Sequence, residues 1–130
     1  MAGVLLDTTV LIDLLRGRER TAEGLRELHG AGDRPHICAI NVEEVARGLR
    51  SRERAGAIEL FAGLRLAPLG RAEGWKAGEW RQDYAARGQT LSQADCLIAA
   101  AAFSLGGRLA TGNPAHFPMT ELTIEHWPPG

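Results

Sequence analysis

Lysine is almost absent from this 130-residue chain: Lys76 is the only one, and arginine supplies nearly all of the 15 basic side chains. Against 16 acids the net charge is −1, so no broad positive field marks the molecule for nucleic acid. Cysteine is scarce too. Cys38 and Cys96 have neither CxxC spacing nor a nearby histidine cluster, which argues against a disulfide scaffold or structural zinc and suits a reducing cytoplasm. No apolar run reaches the ~18 residues of a membrane span. The opening MAGVLL lacks the basic segment of a signal peptide. A cytoplasmic protein with no membrane partner is expected.

What is present reads as an ordinary globular chain. The hydrophobic fraction of 45% excludes disorder, and no linker, repeat or low-complexity stretch divides residues 1–130. One domain with one core is expected. GVLLD at 3–7 has the form of a buried parallel strand ending in an acid. Thr8 and Thr9 are placed to cap a helix through Val10, Leu11, Leu14 and Leu15 that Gly17 stops. A second helix is expected over 19–30, a brief strand over 36–40, and a helix capped by Asn41 through Val42, Val45 and Leu49. Residues 53–64 read as a fourth helix, 65–69 as a short strand, and 71–87 as a helix carrying Trp75, Trp80 and Tyr84. At least one of the two tryptophans should be core. Ser92 caps the clearest helix, 93–105, which Gly106 and Gly107 end, and strands at 108–111 and 122–126 follow. Strands alternating with helices predict an α/β fold, a central parallel sheet of four to five short strands flanked by helices.

Three acids fall where such a fold gathers its chemistry: Asp7 ending VLLD, Glu44 in NVEEVARGL, and Asp95 in TLSQADCLIAAAA. Asn113, in RLATGNPAHF, follows the last convincing apolar run. In an open α/β sheet these positions converge on the carboxyl ends of the strands. Carboxylates gathered there without lysines need cations, and Mg²⁺ or Mn²⁺ with phosphate-ester chemistry is the simplest match.

Each residue also has a plainer use. Ser92-x-x-Asp95 is a capping box, although the apolar run CLIAAAA behind it puts Asp95 at the border of the interior. A carboxylate there pairs, binds a metal or becomes neutral. Asn41-x-x-Glu44 has the same spacing, and Asn113-Pro114 suits a helix cap followed by proline. Asp13 reads as a surface acid, or else as a polar group behind the site, and His116 as a surface or packing residue. A GC-rich genome accounts for the arginine excess as a whole. Placement says more: Arg16, Arg18 and Arg20 follow the first helix, and Arg47, Arg50, Arg52 and Arg54 follow Glu44. These clusters suit either RNA-backbone contact or a solvated helix face.

Taken in order, VLLDTTVLIDLL, VEEVARGL, LSQADCLIAAAA and LATGNPAHF resemble the motifs of the PIN-domain ribonucleases, most closely the toxin half of VapBC-type toxin–antitoxin pairs, over essentially the whole chain. The resemblance implies that Asp7, Glu44 and Asp95 ligate Mg²⁺ or Mn²⁺, with Asn113 in the fourth catalytic position and Thr9 and Thr111 as small polar groups beside the metal. The family often has an acid where this chain has His116, and commonly one at Asn113, so both departures reduce negative charge. Implied as well are an endoribonuclease toxin with water activated by the ion, and a homodimer; the placement of Arg16, Arg47 and Arg50 makes them the candidates for RNA contact. A VapB-type antitoxin would be the partner and carry the DNA-reading domain; this chain shows no DNA-reading helix of its own.

Rival readings fit less well. A haloacid-dehalogenase-type phosphatase wants a second acid at position 9, which is Thr, and a placed lysine where only Lys76 exists. A receiver domain wants an acidic pair before the first strand's Asp and a late lysine. The alternative that remains is a metal-poor RNA- or protein-binding module of the same fold.

Overall fold

The run GVLL forms β1 (Gly3–Leu6), whose Val4, Leu5 and Leu6 are wholly buried, as a strand covered on both faces requires. The computed structural model describes residues 2–129. The strands β1, β2 (Arg34–Ile37), β3 (Arg65–Leu66), β4 (Arg108–Thr111) and β5 (Thr123–His126) pair in parallel in the order β3-β2-β1-β4-β5. Between them lie α1 (Thr8–Leu15), α2 (Glu19–Gly30), α3 (Ala39–Gly48), α4 (Arg54–Ala62), α5 (Arg71–Ala86) and α6 (Gln93–Ser104). Short 3-10 turns occupy Ser51–Glu53 and Pro114–His116. The expected α/β architecture is the one observed.

Side chains alternate across the sheet and divide the core in two. Val4, Leu6 and Ala110 pack with Val10, Leu11, Leu28 and Val45 from α1, α2 and α3. Leu5 and Leu109 face the other way, onto Trp80 and Tyr84 of α5 and Cys96 and Ile98 of α6. The chain winds outward from β1 to β3, then returns through α5 and α6 to place β4 on the other side of β1. The carboxyl ends of β1 and β4 therefore flank the point where the winding reverses, the usual ligand crevice of such sheets. No helix among the described residues is long and apolar enough to cross a membrane.

Several expectations shift by a few residues, each for a local reason. Asp7, not Thr8 or Thr9, is the N-cap of α1: its side chain accepts the Thr8 N–H, and Thr8 is the first helical residue. The second strand runs over Arg34–Ile37 rather than 36–40, because Cys38 caps α3 and Ala39 and Ile40 are already helical. Asn41 is the third residue of that helix and reaches back to the cap. The strand expected at 65–69 keeps only two residues, since Pro68 follows Ala67 and has no N–H for a ladder. Trp80 is the core tryptophan, 3% exposed, while Trp75 is 73% exposed. Asp13, expected at the surface, is buried. After α6, Gly106 and Gly107 adopt φ of +111° and +98°, which side-chain-bearing residues rarely reach.

α5 opens at Gly70, which has no side chain with which to cap it. Glu73 compensates: Oε1 accepts the Gly70 N–H at 2.7 Å, and Oε2 accepts the Ser104 hydroxyl at 2.5 Å. The Ser104 bond first, then the Gly70 bond, holds the Glu73 carboxyl below its ordinary pKa against the opposing effect of burial. A depressed folded-state pKa stabilises the fold above the unfolded pKa of glutamate, and that contribution fades as pH falls through the folded value. Glu73→Gln should therefore cost about 1–2 kcal/mol near neutral pH and progressively less in acid. Urea unfolding at neutral and acid pH checks this; an equal cost at both would assign the loss to packing instead.

Candidate active site

Asp7 occupies the junction of β1 and α1, next to the end of β4, and is 5% exposed. Its N–H donates to the Ala110 carbonyl at 2.8 Å, which locks it to β4. Oδ1 accepts the Thr8 N–H at 2.8 Å, and Oδ2 accepts the hydroxyls of Thr9 at 3.1 Å and Thr111 at 2.7 Å. Burial pushes the carboxyl pKa up, the three hydrogen bonds pull it back, and the nearby charge of Asp95 raises it further. The net direction is upward.

The threonines are themselves held from behind. Thr9 Oγ1 accepts the Gly112 N–H and Thr111 Oγ1 accepts the Asn113 N–H, both at 2.9 Å. Gly112 lets the chain pass close to that bond: a Cβ there would lie 3.3 Å from Thr9 Oγ1 and 3.4 Å from the Trp127 carbonyl oxygen, a tight fit. On the other flank, the Thr8 hydroxyl donates to Glu44 Oε1 at 2.7 Å and accepts from Asn41 Nδ2 at 3.1 Å. Asn41 Oδ1 in turn accepts the Cys38 N–H at 2.9 Å. This part-buried chain of bonds fastens α3 to the start of α1. Thr8 and Asn41 carry structural weight that sequence reasoning assigned only to caps; the paired threonines directly after Asp7 were the available signal.

Asp95 enters from the first turn of α6, its N–H capped by Ser92 Oγ at 3.0 Å. Its Oδ2 lies 3.5 Å from His116 Nδ1. Asn113 caps the 3-10 turn at Pro114, but its side chain makes no capping bond and is exposed. The structure thus brings Asp7, Thr9 and Thr111 together, sets Asp95 near enough for its charge to act on Asp7, places Glu44 one hydrogen bond behind Thr8, and leaves Asn113 exposed. Among the described residues, no three His, Cys, Asp or Glu side chains converge closely enough to hold an ion unaided.

The donor set suits a hard divalent cation all the same. Mg²⁺ keeps several waters and takes one or two carboxylates plus substrate phosphate, which Asp7 and Asp95 match. Asp7 has about four lone-pair directions and uses three on hydrogen bonds, so one on Oδ1 stays free.

Arginine placement divides in two. Arg16 and Arg50 line a groove of about 370 Å³ with Ile12, Leu15, Glu44, Val45 and Leu49. Arg47 points elsewhere, its guanidinium bonded twice to Glu43 at 3.0 Å. A larger cavity of about 560 Å³, between α2 and β5, contains none of Asp7, Glu44 or Asp95.

The chain belongs to the PIN-domain family, whose model matches residues 4–118. Among curated proteins it is 32% identical to Ribonuclease VapC10 and 33% identical to Ribonuclease VapC19, both of Mycobacterium tuberculosis. These alignments cover 91% and 88% of this chain and 88% and 92% of the relatives. Among solved structures, the DNA-bound VapBC complex from Salmonella typhimurium matches at a TM-score of 0.85 and 23% identity, over 98% of this chain and 99% of that one. That likeness establishes the fold.

Thr111→Val removes one donor from Asp7 and leaves the Asn113 N–H without its acceptor. The expected loss is about 1–3 kcal/mol in urea unfolding, with the Asp7 pKa moving further up in a carboxyl-carbon NMR titration. An unchanged Asp7 titration would show that the Thr111 bond does not govern its charge.

Proposed function

We propose that this chain is a metal-dependent endoribonuclease acting as the toxin of a type II toxin–antitoxin pair. The observation that carries the reading is the Asp7 carboxylate, buried at the β1–β4 switch point and held by hydroxyls rather than by cations. The two relatives named ribonucleases support it.

Asp7 and Asp95 would hold the ion, with Glu44 and the exposed Asn113 side chain at the edge of the same site. Thr9 and Thr111 would keep Asp7 in place. When bound, Mg²⁺ or Mn²⁺ supplies an acidified water and neutralises charge developing on the phosphodiester. Arg16 and Arg50, unlike Arg47, stand beside the site with guanidinium groups to offer an RNA backbone. Toxin activity implies a cytoplasmic site of action and no membrane partner.

The groove carrying Ile12, Leu15, Val45 and Leu49 suits the apolar face of an antitoxin helix, with Glu44 available to a basic side chain at its end. The VapBC complexes among the solved structures support such a VapB-type partner. That partner would supply the DNA-reading domain. A homodimer is part of the same reading, and Ile58, Leu66, Trp75 and Phe103 offer exposed apolar surface for further contacts.

Purified, antitoxin-free protein should cut total RNA into discrete fragments with Mg²⁺ or Mn²⁺ and not with EDTA. Asp95→Asn should lower the rate by roughly 100-fold or more, in the range seen when a group that stabilises transition-state charge is removed. RNA binding without cleavage under either metal would favour the binding-module alternative. Arg16→Ala combined with Arg50→Ala should weaken RNA binding and lower the salt-dependence slope by about 1–2, while Arg47→Ala alone leaves both unchanged. Filter binding across a salt series measures this, and an equal effect from Arg47→Ala would remove the distinction drawn from its Glu43 bonds.

A further inference from the structure

The cavity of about 560 Å³ between α2 and β5 lies apart from the carboxylate site, with none of Asp7, Glu44 or Asp95 in its wall. Its volume suits a small organic molecule, since ligand pockets run from about 300 to 1,000 Å³. Two features of the wall point to an occupant. The first is Thr21, a lining residue 3% exposed whose Oγ1 has no hydrogen-bond partner. Among the described residues it is the one buried side-chain oxygen or nitrogen left so. Buried hydroxyls are normally paired, so this one gains when a polar group arrives.

The second feature is charge. Glu23, Glu27, Asp33 and Glu125 line the cavity against two arginines, Arg20 and Arg108. Arg108 is already occupied, its guanidinium donating to Glu125 at 2.6 Å and to Asp33 at 2.8 Å. Glu23 and Glu27 stand one turn apart on α2, and among the described residues neither forms an ion pair. The wall is therefore short of positive charge, which disfavours an anion and favours a cation. A metal ion does not fit the need. No three acids among the described residues converge on one point, whereas a longer cation reaches carboxylates that stand apart.

Trp127 completes the wall with an aromatic surface. Its backbone N–H donates to the Thr111 carbonyl at 2.8 Å, and a Cβ on Gly24 would lie 3.0 Å from its ring, so β4 and α2 hold the indole in place. Indole faces attract ammonium and guanidinium groups, and Leu28 and Pro128 add apolar wall for a methylene chain. We propose that this cavity binds a small aliphatic cation, an amine or guanidinium compound of about the size of agmatine. Glu23 and Glu27 supply the charge, Trp127 the aromatic wall, and the Thr21 hydroxyl a hydrogen bond. The site is independent of the nuclease reading.

The test titrates the antitoxin-free chain with agmatine and with butylurea, an uncharged analogue, by calorimetry, and follows the Trp127 indole N–H by NMR. Agmatine should saturate one site with a dissociation constant below about 1 mM and shift the Trp127 signal, and butylurea should bind at least about 10-fold more weakly. Glu23→Gln combined with Glu27→Gln should weaken agmatine binding about 10-fold. Thr21→Val should weaken it about 3-fold to 10-fold without lowering the melting temperature of the ligand-free chain, because no internal bond is lost. Asp95→Asn should leave binding unchanged. Both glutamates are exposed, so the double variant stays folded, and thermal melts verify it. No saturable binding by the wild type would overturn the site, and equal binding of butylurea would overturn its cationic character. Binding that survives both cavity variants, or that disappears with Asp95→Asn, would place the ligand elsewhere and overturn the proposal as well.

Discussion

Much of the fold and all of the candidate chemistry depend on one buried carboxylate that no basic side chain neutralises. Asp7 accepts from Thr8, Thr9 and Thr111 and donates its own N–H to Ala110, so one residue caps α1, ends β1 and holds the last turn of β4 in register. Hydrogen bonds stabilise such a charge without cancelling it. An arginine in the same place would have satisfied the oxygens equally well and cancelled the charge. The upward pull on the Asp7 pKa follows from the same arrangement: burial desolvates the carboxyl group and its hydrogen bonds pull the pKa only part of the way back.

The pattern that places Asp7 and Asp95 was legible because both stand at a change of period. A four-residue apolar run stops at Asp7, and an apolar small-residue helix starts at Asp95, so the acids mark borders that hydrophobicity alone reveals. The supporting network was less legible. Asn41 has the composition of a cap, yet residues three apart can bond in either direction across a helix start. Sequence shows the polar side chain and not whether it caps from outside or reaches back from the third helical position, as Asn41 does to Cys38. The β2 boundary moved for the same reason, since an apolar ICAI stretch suits a strand until the cap is known to be Cys38.

Other differences turn on which way a side chain points. Trp75 and Trp80 are five residues apart, about 140° around a helix, so burying one exposes the other. Nothing in the local pattern says which, because the choice is made by α6 packing against α5 from elsewhere in the chain. The arginines divide likewise. Arg47 lies one helical turn after Glu43 and is occupied by it, whereas Arg16 and Arg50 are brought together only when α1 meets α3. Composition counts both kinds as positive charge; only geometry separates the spent from the available.

The site and the apolar groove share two helices, and this has a consequence for how each responds to the other. Ile12 and Leu15 line the groove from the same helix that Asp7 caps, and Val45 and Leu49 line it from the helix that carries Glu44. Glu44 itself belongs to both: it lines the groove and accepts the Thr8 hydroxyl, while the Thr8 N–H donates to Asp7. A basic group placed on Glu44 by anything lying in the groove is therefore two hydrogen bonds from the buried carboxylate. It competes with Thr8 for the Glu44 oxygen and adds positive charge at the edge of a site that is short of it. Both effects reach Asp7 through Thr8, whose hydroxyl bonds Glu44 and whose N–H bonds Asp7.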